Sequence, residues 1–201
     1  MKKRIFSVLV AISVFICAGL VCSSADAETA GNFRVAIIID ADDMEGFSEG
    51  EGVLRSFTEI LNANPDIAVT FYFDTGNTER NKDFASTLLY FRVKNYRFGQ
   101  YTGDAVIASE LGDYIKYVTK ISERLVITDS PSTFAELGYS VITDFDIVIS
   151  DIENPEIMAD LQRDIKVKLT LSENTLSEFQ KLVDYAAANS VGIFGTNEKT
   201  E

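Results

Sequence analysis

The sequence predicts an α/β fold organised around a parallel β-sheet. Strand-like and helix-like segments alternate through the chain and make up about seven or eight β/α units. The first strand-like segment, residues 33–39, is apolar apart from Arg34 and rich in β-branched residues, which is typical of a strand covered on both faces. This pattern fits an irregular (β/α) barrel, and it fits equally an open doubly wound parallel sheet.

The elements that follow this first strand each have local sequence support. Ser48 is predicted to cap a helix that runs to Asn62, before the helix-stopping pair Asn64 and Pro65. Thr78 is predicted to cap the next helix. The other elements of this half are a strand at 67–73, a turn at 74–77, a strand at 96–101 and a long helix with Ile107, Leu111, Ile115, Val118 and Ile121 on one face.

The second half of the chain continues the alternation. A short helix over residues 132–137 is closed by Gly138, and a further helix begins at Asn154 with Pro155 in its first turn. Thr175 and Glu178 form a capping-box pattern for the last helix. Strands are predicted at 125–128, at 139–142 and 145–149 (one bent strand or two), at 165–171 and at 191–194. The residues expected to point into the sheet are Phe57, Leu111, Ile115, Phe179 and Leu182.

The amino-terminal segment predicts export. Basic residues at 2–4 precede an apolar stretch at 5–21, and Ala-Asp-Ala at 25–27 has the small-x-small pattern of a signal-peptidase site. We therefore expect a signal peptide at 1–27, a single mature α/β domain at 28–201, and a periplasmic or extracellular protein that does not stay in the membrane after cleavage. An uncleaved membrane anchor is the alternative, because the apolar stretch is near the lower limit for a span.

Composition excludes several kinds of site. Both cysteines, Cys17 and Cys22, lie in the leader, and the chain has no histidine, so the mature domain has no disulfide, zinc–thiolate site or cysteine nucleophile. The net charge of −13 disfavours nucleic acid and anionic lipid as partners and favours a neutral or cationic small ligand. The same charge also fits a protein that is simply kept soluble. The sequence does not indicate the oligomeric state.

An acidic cluster follows the first strand. Asp40, Asp42, Asp43 and Glu45 lie within six residues. The carboxyl ends of parallel strands are where α/β proteins place their ligands, and crowded carboxylates need a cation, a base or bulk water to relieve their repulsion. The alternative is a solvated loop whose acids favour the start of the next helix.

The order of segments and several short motifs resemble the polysaccharide deacetylase (NodB-homology) family, whose fold is an irregular (β/α) barrel. Residues 35–40 are similar to the first motif of that family, a hydrophobic strand that ends in paired aspartates, and Asp40 takes the position of the general base. The metal-binding aspartate of the family would fall on Ala41, unless Asp42 or Asp43 substitutes for it.

The second family motif is altered in this chain. Thr-Phe-Tyr-Phe at 70–73 and Gly-Asn at 76–77 resemble the end of the family's second strand. Residues 99–105 can be laid over the Gly-Asn-His-Thr-x-x-His motif, whose histidines complete the metal site. Tyr101 and Ala105 then stand in place of those two histidines.

Three later motifs are also reduced. Asp-Ser-Pro-Ser at 129–132 corresponds to Arg-x-Pro-Tyr without its arginine, and Leu-Thr at 169–170 stands where the family has Leu-His. Leu-Gly-Tyr at 137–139 and Asp-Phe-Asp at 144–146 are similar to a further family pattern, with a shorter segment before them.

The resemblance implies an exported, deacetylase-like protein that is catalytically degenerate and associated with glycans or the cell envelope. Family members use a divalent metal, bound in part by histidines, to activate water, and a histidine to protonate the leaving amine. This chain has no histidine, so it lacks both the metal-binding imidazoles and the acid. No cofactor is expected beyond weak Mg²⁺ or Ca²⁺ binding by carboxylates alone. The alternative function is an extracytoplasmic small-ligand-binding or sensory domain on an open α/β sheet. The implied site residues are Asp40 as a catalytic base, Asp42, Asp43 and Asp144 as metal ligands, and Tyr101 and Asp146 as residues that bind a carbohydrate or another neutral or cationic small ligand.

Overall fold

Parallel strands alternate with helices in the computed structural model, which describes residues 31–76, 80–149 and 164–196. All of these residues belong to the unit that runs from Gly31 to Glu201. The strands of the described part are β1 (Phe33–Ile39), β2 (Thr70–Asp74), β3 (Arg97–Tyr101), β4 (Leu125–Ile127), β5 (Ser140–Ile142), β6 (Ile147–Ile149), β7 (Ile165–Thr170) and β8 (Ile193–Gly195).

The helices connect successive strands. In the described residues they are α1 (Val53–Ala63), α2 (Lys82–Lys94), α3 (Ala105–Thr119), α4 (Pro131–Glu136) and α5 (Glu173–Asn189), with two short 3₁₀ turns at Asp42–Met44 and Phe47–Glu49. Of these helices, none combines the length and the apolar composition that a membrane span requires.

The order of the strands is that of an opened barrel. Along the sheet the order is β5-β4-β3-β2-β1-β7-β6, and β8 pairs with β1. From β1 to β5, and again from β6 to β7, each step along the chain moves in the same direction around the sheet. Right-handed crossovers in one direction place all helices on one face, so the sheet curls into a half-barrel with its helices outside. The predicted α/β barrel-like fold is confirmed, and the strand order is not that of a doubly wound sheet.

The larger hydrophobic core lies between the sheet and the helices. Alternate residues of β1 belong to opposite faces: Val35 and Ile37 are in the helix-covered core, whereas Ala36 and Ile38 are in a smaller cluster on the concave face. All five residues predicted to point into the sheet are at most 3% exposed, which confirms that prediction (Phe57, Leu111, Ile115, Phe179 and Leu182).

The last strand, β8, is inserted beside the amino-terminal half of β1. Phe33 pairs with Ile193, whereas the pairing of β1 with β2 begins only at Ala36. Just before β2 begins, the backbone N–H of Ala68 donates to the carbonyl of Ile193, at 3.0 Å. The Tyr72 hydroxyl then reaches the hydroxyl of Thr196 at 2.8 Å on the concave side. β8 therefore fills the gap that opens between β1 and β2 at this end of the sheet.

Several predicted boundaries are wrong for local reasons. Helix α1 begins at Val53 and not at Ser48, because Gly50 and Gly52 adopt φ angles of 87° and 90° and interrupt the chain before it. The cap of α2 is Asn81, whose side chain accepts hydrogen bonds from two backbone N–H groups. Thr78, the predicted cap, lies outside the described residues. The cap of α5 is Ser172, three residues before the predicted Thr175.

The remaining differences are small. β2 begins at Thr70 and not at residue 67, and residues 139–149 contain two separate strands, β5 and β6. Ile107 and Ile121 were predicted on the buried face of α3, but they are 41% and 36% exposed. The helix predicted to begin at Asn154 lies outside the described residues.

We expect substitution of Gly99 by alanine to destabilise the domain by about 1–3 kcal/mol, because the site has no room for a methyl group. A Cβ at Gly99 would lie 2.7 Å from both the Cβ and the carbonyl oxygen of Leu125, and 2.9 Å from Cε1 of Tyr72. Urea unfolding measures the effect. Gly103→Ala is the matched control, since a Cβ there meets no atom within 4 Å. Equal stabilities of the two variants would contradict the packing described for β3.

Candidate functional site

The candidate site lies along the carboxyl edge of the sheet. Because all strands are parallel, the residues that follow them gather at this one edge. Asp40 follows β1, Tyr101 ends β3 and Asp144 follows β5. Asp40 and Asp144 are therefore at the same end of the fold, on strands that stand four places apart in the sheet order.

Asp40 organises the loop that follows β1. Its Oδ1 accepts hydrogen bonds from the backbone N–H groups of Asp42 and Asp43, at 3.0 and 3.1 Å. In return, the N–H of Asp40 donates to Oδ2 of Asp43 at 3.0 Å. These reciprocal bonds close the 3₁₀ turn, so one oxygen of the predicted catalytic base is already committed to the protein backbone.

Asp43 is buried under this loop and is 8% exposed, whereas Asp42 is exposed. The pKa of Asp43 is raised from 3.8 to about 7, chiefly by burial; the hydrogen bond from the Asp40 backbone lowers it, and the negative charges of Asp40 and Asp42 add to the rise. The side chain therefore changes its protonation near neutral pH. That property was not predicted from the sequence.

An acidic cleft of about 690 Å³ adjoins the Asp42–Asp43 loop. The amino-terminal ends of α1, α2 and α5 border it, and its one basic side chain, Lys82, pairs with Glu49 at 2.7 Å. Helix amino termini stabilise nearby carboxylates, which accounts for the excess of acid here. The seven acidic residues that line the cleft are Asp42, Asp43, Glu45, Glu49, Glu51, Asp83 and Glu173.

A second pocket lies at the carboxyl ends of β2, β3 and β4, and we call it the Tyr101 pocket. Its volume is about 370 Å³, within the range of small-molecule sites. It combines carboxylates and hydroxyls with the ring of Tyr101. The lining residues are Asp74, Thr75, Gly76, Tyr101, Thr102, Gly103, Asp104, Ile107, Thr128 and Asp129.

The loops around the Tyr101 pocket are held by their own side chains. Oδ1 of Asp104 caps α3 by accepting hydrogen bonds from the N–H groups of Val106 and Ile107, at 2.8 and 3.2 Å. Oδ1 of Asp74 accepts one from the N–H of Gly76, at 2.9 Å. These turns fix the pocket wall without a ligand.

On the concave face, a lysine from β7 reaches across to Tyr101. The Lys168 ammonium lies 5.4 Å from the ring centroid of Tyr101 and 5.8 Å from that of Phe145. Tyr101 is on β3, three places from β7 in the sheet order, so this contact depends on the curvature of the sheet. Sequence analysis missed Lys168. Its signal was the alternation of apolar and polar residues in β7, which places Lys166, Lys168 and Thr170 on one face.

The connection between β5 and β6 spans the open side of the half-barrel. Asp146 is joined to Lys166 of β7, because its N–H donates to the carbonyl of Lys166 and its Oδ2 accepts the N–H of Lys166, both at 2.9 Å. Asp144 is exposed, has a φ of 58° and accepts a hydrogen bond from the Thr143 hydroxyl. Both aspartates thus have defined roles in the loop. Their predicted roles toward a ligand or metal stay predictions.

The residues at this edge do not fit the divalent metal that the family resemblance implies. The chain has no histidine, and in the family resemblance the metal-binding aspartate falls on Ala41 unless Asp42 or Asp43 substitutes for it. Across the described residues, no three Asp or Glu side chains are grouped as one metal ion requires. Tyr101, in the place of a histidine ligand, carries the Lys168 cation on its ring, which repels a nearby divalent cation. Weak Mg²⁺ or Ca²⁺ binding by Asp42, Asp43 and Asp144 stays a prediction.

No protein-family profile matches the chain, and no curated protein matches it in sequence. Solved structures match it in fold. BA3943 from Bacillus anthracis, a CE4 family pseudoenzyme, aligns with a TM-score of 0.61 at 13% identity over 84% of this chain and 64% of its own length. A BA3943 mutant with restored enzymatic activity aligns equally well, over 84% of this chain and 66% of its own.

This chain has the fold of these CE4 proteins. It spans about two thirds of their length, 64–66%. The similarity agrees with the deacetylase-like motifs around Asp40 and Tyr101, although an identity of 13% carries the fold and not the activity.

Proposed function

We propose that this protein is a deacetylase-like barrel that binds a glycan at the carboxyl edge of its sheet and does not hydrolyse it. The observation that carries the proposal is the Tyr101 pocket. It lies where the family's histidine motif falls, and it keeps carboxylates, hydroxyls and an aromatic ring while both imidazoles are replaced. Such a lining suits the hydroxyl groups and the apolar ring face of a sugar.

The residues at this edge are not suited to amide hydrolysis. No imidazole is present to protonate a leaving amine, and Oδ1 of Asp40 is held by two backbone N–H groups. Asp43, which changes its protonation near neutral pH, is buried under the loop. These features support binding without turnover.

We also propose that the protein acts outside the cytoplasm, with a mature amino terminus at Glu28. The basis is the leader at 1–27. Amino-terminal sequencing of the protein from a cell-envelope or medium fraction tests this proposal. Material that begins at Met1, or that stays anchored in membranes, would contradict it.

The binding proposal is tested by calorimetry with tri-N-acetylchitotriose and the purified mature protein. We expect measurable binding that Tyr101→Ala weakens by about tenfold or more, because the ring forms part of the pocket wall. Tyr117→Ala is the matched control, since Tyr117 is 74% exposed on α3. If no neutral, acidic or amino-bearing trisaccharide binds, the glycan proposal fails.

The non-hydrolytic part is tested separately by acetate release from the same trisaccharide with Zn²⁺, Co²⁺, Mn²⁺ and Mg²⁺ in turn. We expect none above the rate without protein. Metal-dependent release that disappears in Asp40→Asn would overturn this part of the proposal and show that carboxylates alone run the site.

A further inference from the structure

Lys168 is a partly buried cation that pairs with no carboxylate in the described part of the chain. Its contacts there are the rings of Tyr101 and Phe145. Acidic residues outnumber basic ones by 31 to 18, so a counter-ion for a lysine is easy to supply. A half-buried ammonium without a counter-ion loses favourable hydration free energy, and the contact with the aromatic faces compensates for only part of that loss.

The residues paired with Lys168 on the neighbouring strands do not supply a counter-ion either. In the sheet register, Lys168 stands opposite Ala36 of β1 on one side and Val148 of β6 on the other. Ala36 is buried in the smaller apolar cluster of the concave face and brings no charge to the ammonium. The ammonium is thus held in place by aromatic rings and faces an uncharged stretch of the sheet.

Three aspartates of the surrounding loops use their carboxylates in other hydrogen bonds. Asp104 caps α3, Asp74 closes its own turn, and Asp146 bonds to the backbone of β7. These three acids thus have hydrogen bonds within the loops, whereas Lys168 pairs with no carboxylate of the described residues. Tyr101 connects the two regions, because its ring lines the pocket and also carries the ammonium.

We infer that Lys168 binds a carboxylate of an acidic sugar whose ring occupies the Tyr101 pocket. This inference rests on the proposed glycan-binding function and names the class of glycan. An ammonium–carboxylate hydrogen bond is among the stronger polar contacts, and the two aromatic rings hold the lysine in a binding conformation before the ligand arrives. The net charge of −13 and the pocket carboxylates of Asp74, Asp104 and Asp129 repel an acidic glycan, so any preference for one depends on the local contact with Lys168.

Calorimetry on the mature protein with trigalacturonic acid and with tri-N-acetylchitotriose tests the inference. We expect the acidic trisaccharide to bind more tightly, and Lys168→Met to weaken its binding by about tenfold to hundredfold. The neutral trisaccharide should bind the Lys168→Met variant within about threefold of the wild type. Lys166→Met is the matched control, because Lys166 lies on the same face of β7 and is exposed.

Lys168→Arg keeps the positive charge and should keep the preference for the acidic trisaccharide, which separates a role in binding from a role in folding. If the wild type binds both trisaccharides equally, or if Lys168→Met keeps the preference, the inference fails while glycan binding stands. If the acidic trisaccharide does not bind, the inference fails; if the neutral and an amino-bearing trisaccharide also fail to bind, the proposed function fails with it.

Discussion

Phe57→Ala is expected to cost about 3–5 kcal/mol of the free energy of unfolding. The side chain is 0% exposed and lies in the centre of the helix-covered core. Its ring centroid is 4.5 Å from that of Phe179 on α5 and 5.9 Å from that of Phe71 on β2, so truncation opens a cavity between three elements. The melting temperature should fall by roughly 6–20 °C for a domain of this size.

Val93→Ala on helix α2 is the matched control for this experiment. Val93 is 82% exposed, so its truncation should change the stability by no more than about 0.5 kcal/mol. A loss near zero at Phe57 would mean that α1 packs against the sheet through a different face.

Asp43→Asn is expected to stabilise the protein at about pH 8 and to leave its stability unchanged near pH 4. The pKa of Asp43 is raised from 3.8 to about 7, mainly by burial, so between these values the folded state keeps a proton that the unfolded state releases. The stability that this group confers is fully present below its unfolded pKa and is lost as the pH rises to about 7. The slope from this one group is at most about 1.4 kcal/mol per pH unit.

Asparagine keeps the acceptor for the Asp40 N–H and removes the charge, so the gain at about pH 8 should be on the order of 2–4 kcal/mol. Urea unfolding of the wild type and the variant across this pH range gives the difference directly. Asp66→Asn is the control, because Asp66 is exposed in the loop after α1. A difference that is constant with pH would show that Asp43 does not change its protonation in this range.

The fold was predictable where a short segment determines its own structure. The β1 segment at 33–39 is observed with the predicted bounds, because its residues other than Arg34 are apolar and mostly β-branched, which suits a strand covered on both faces. The start of α1 was not predictable in this way. Gly50 and Gly52 adopt left-handed conformations that the helical spacing after Ser48 does not reveal.

The site was predictable in its location and less so in its chemistry. The motifs around Asp40 and Tyr101 indicated the carboxyl edge, since strand ends are fixed by the order of segments. The burial of Asp43 depends on how its loop folds under itself, and the contact of Lys168 with Tyr101 depends on sheet curvature. The burial of Asp43 arises in a loop whose residues have no periodic pattern, and the contact of Lys168 with Tyr101 joins residues far apart in the chain. Neither can be recognised from a local sequence pattern.

The insertion of β8 has a consequence for how the chain acquires its fold. β1 is an interior strand with three partners, and its Phe33 pairs with Ile165 of β7 and Ile193 of β8, both far along the chain. Long-range pairing of this kind slows folding to times on the order of milliseconds to seconds, because a large loop must close before the contacts form. A ribosome-bound chain lacking these strands would leave one side of β1 without partners. The first strand to be translated therefore gains its full set of partners only after the last strands have been made.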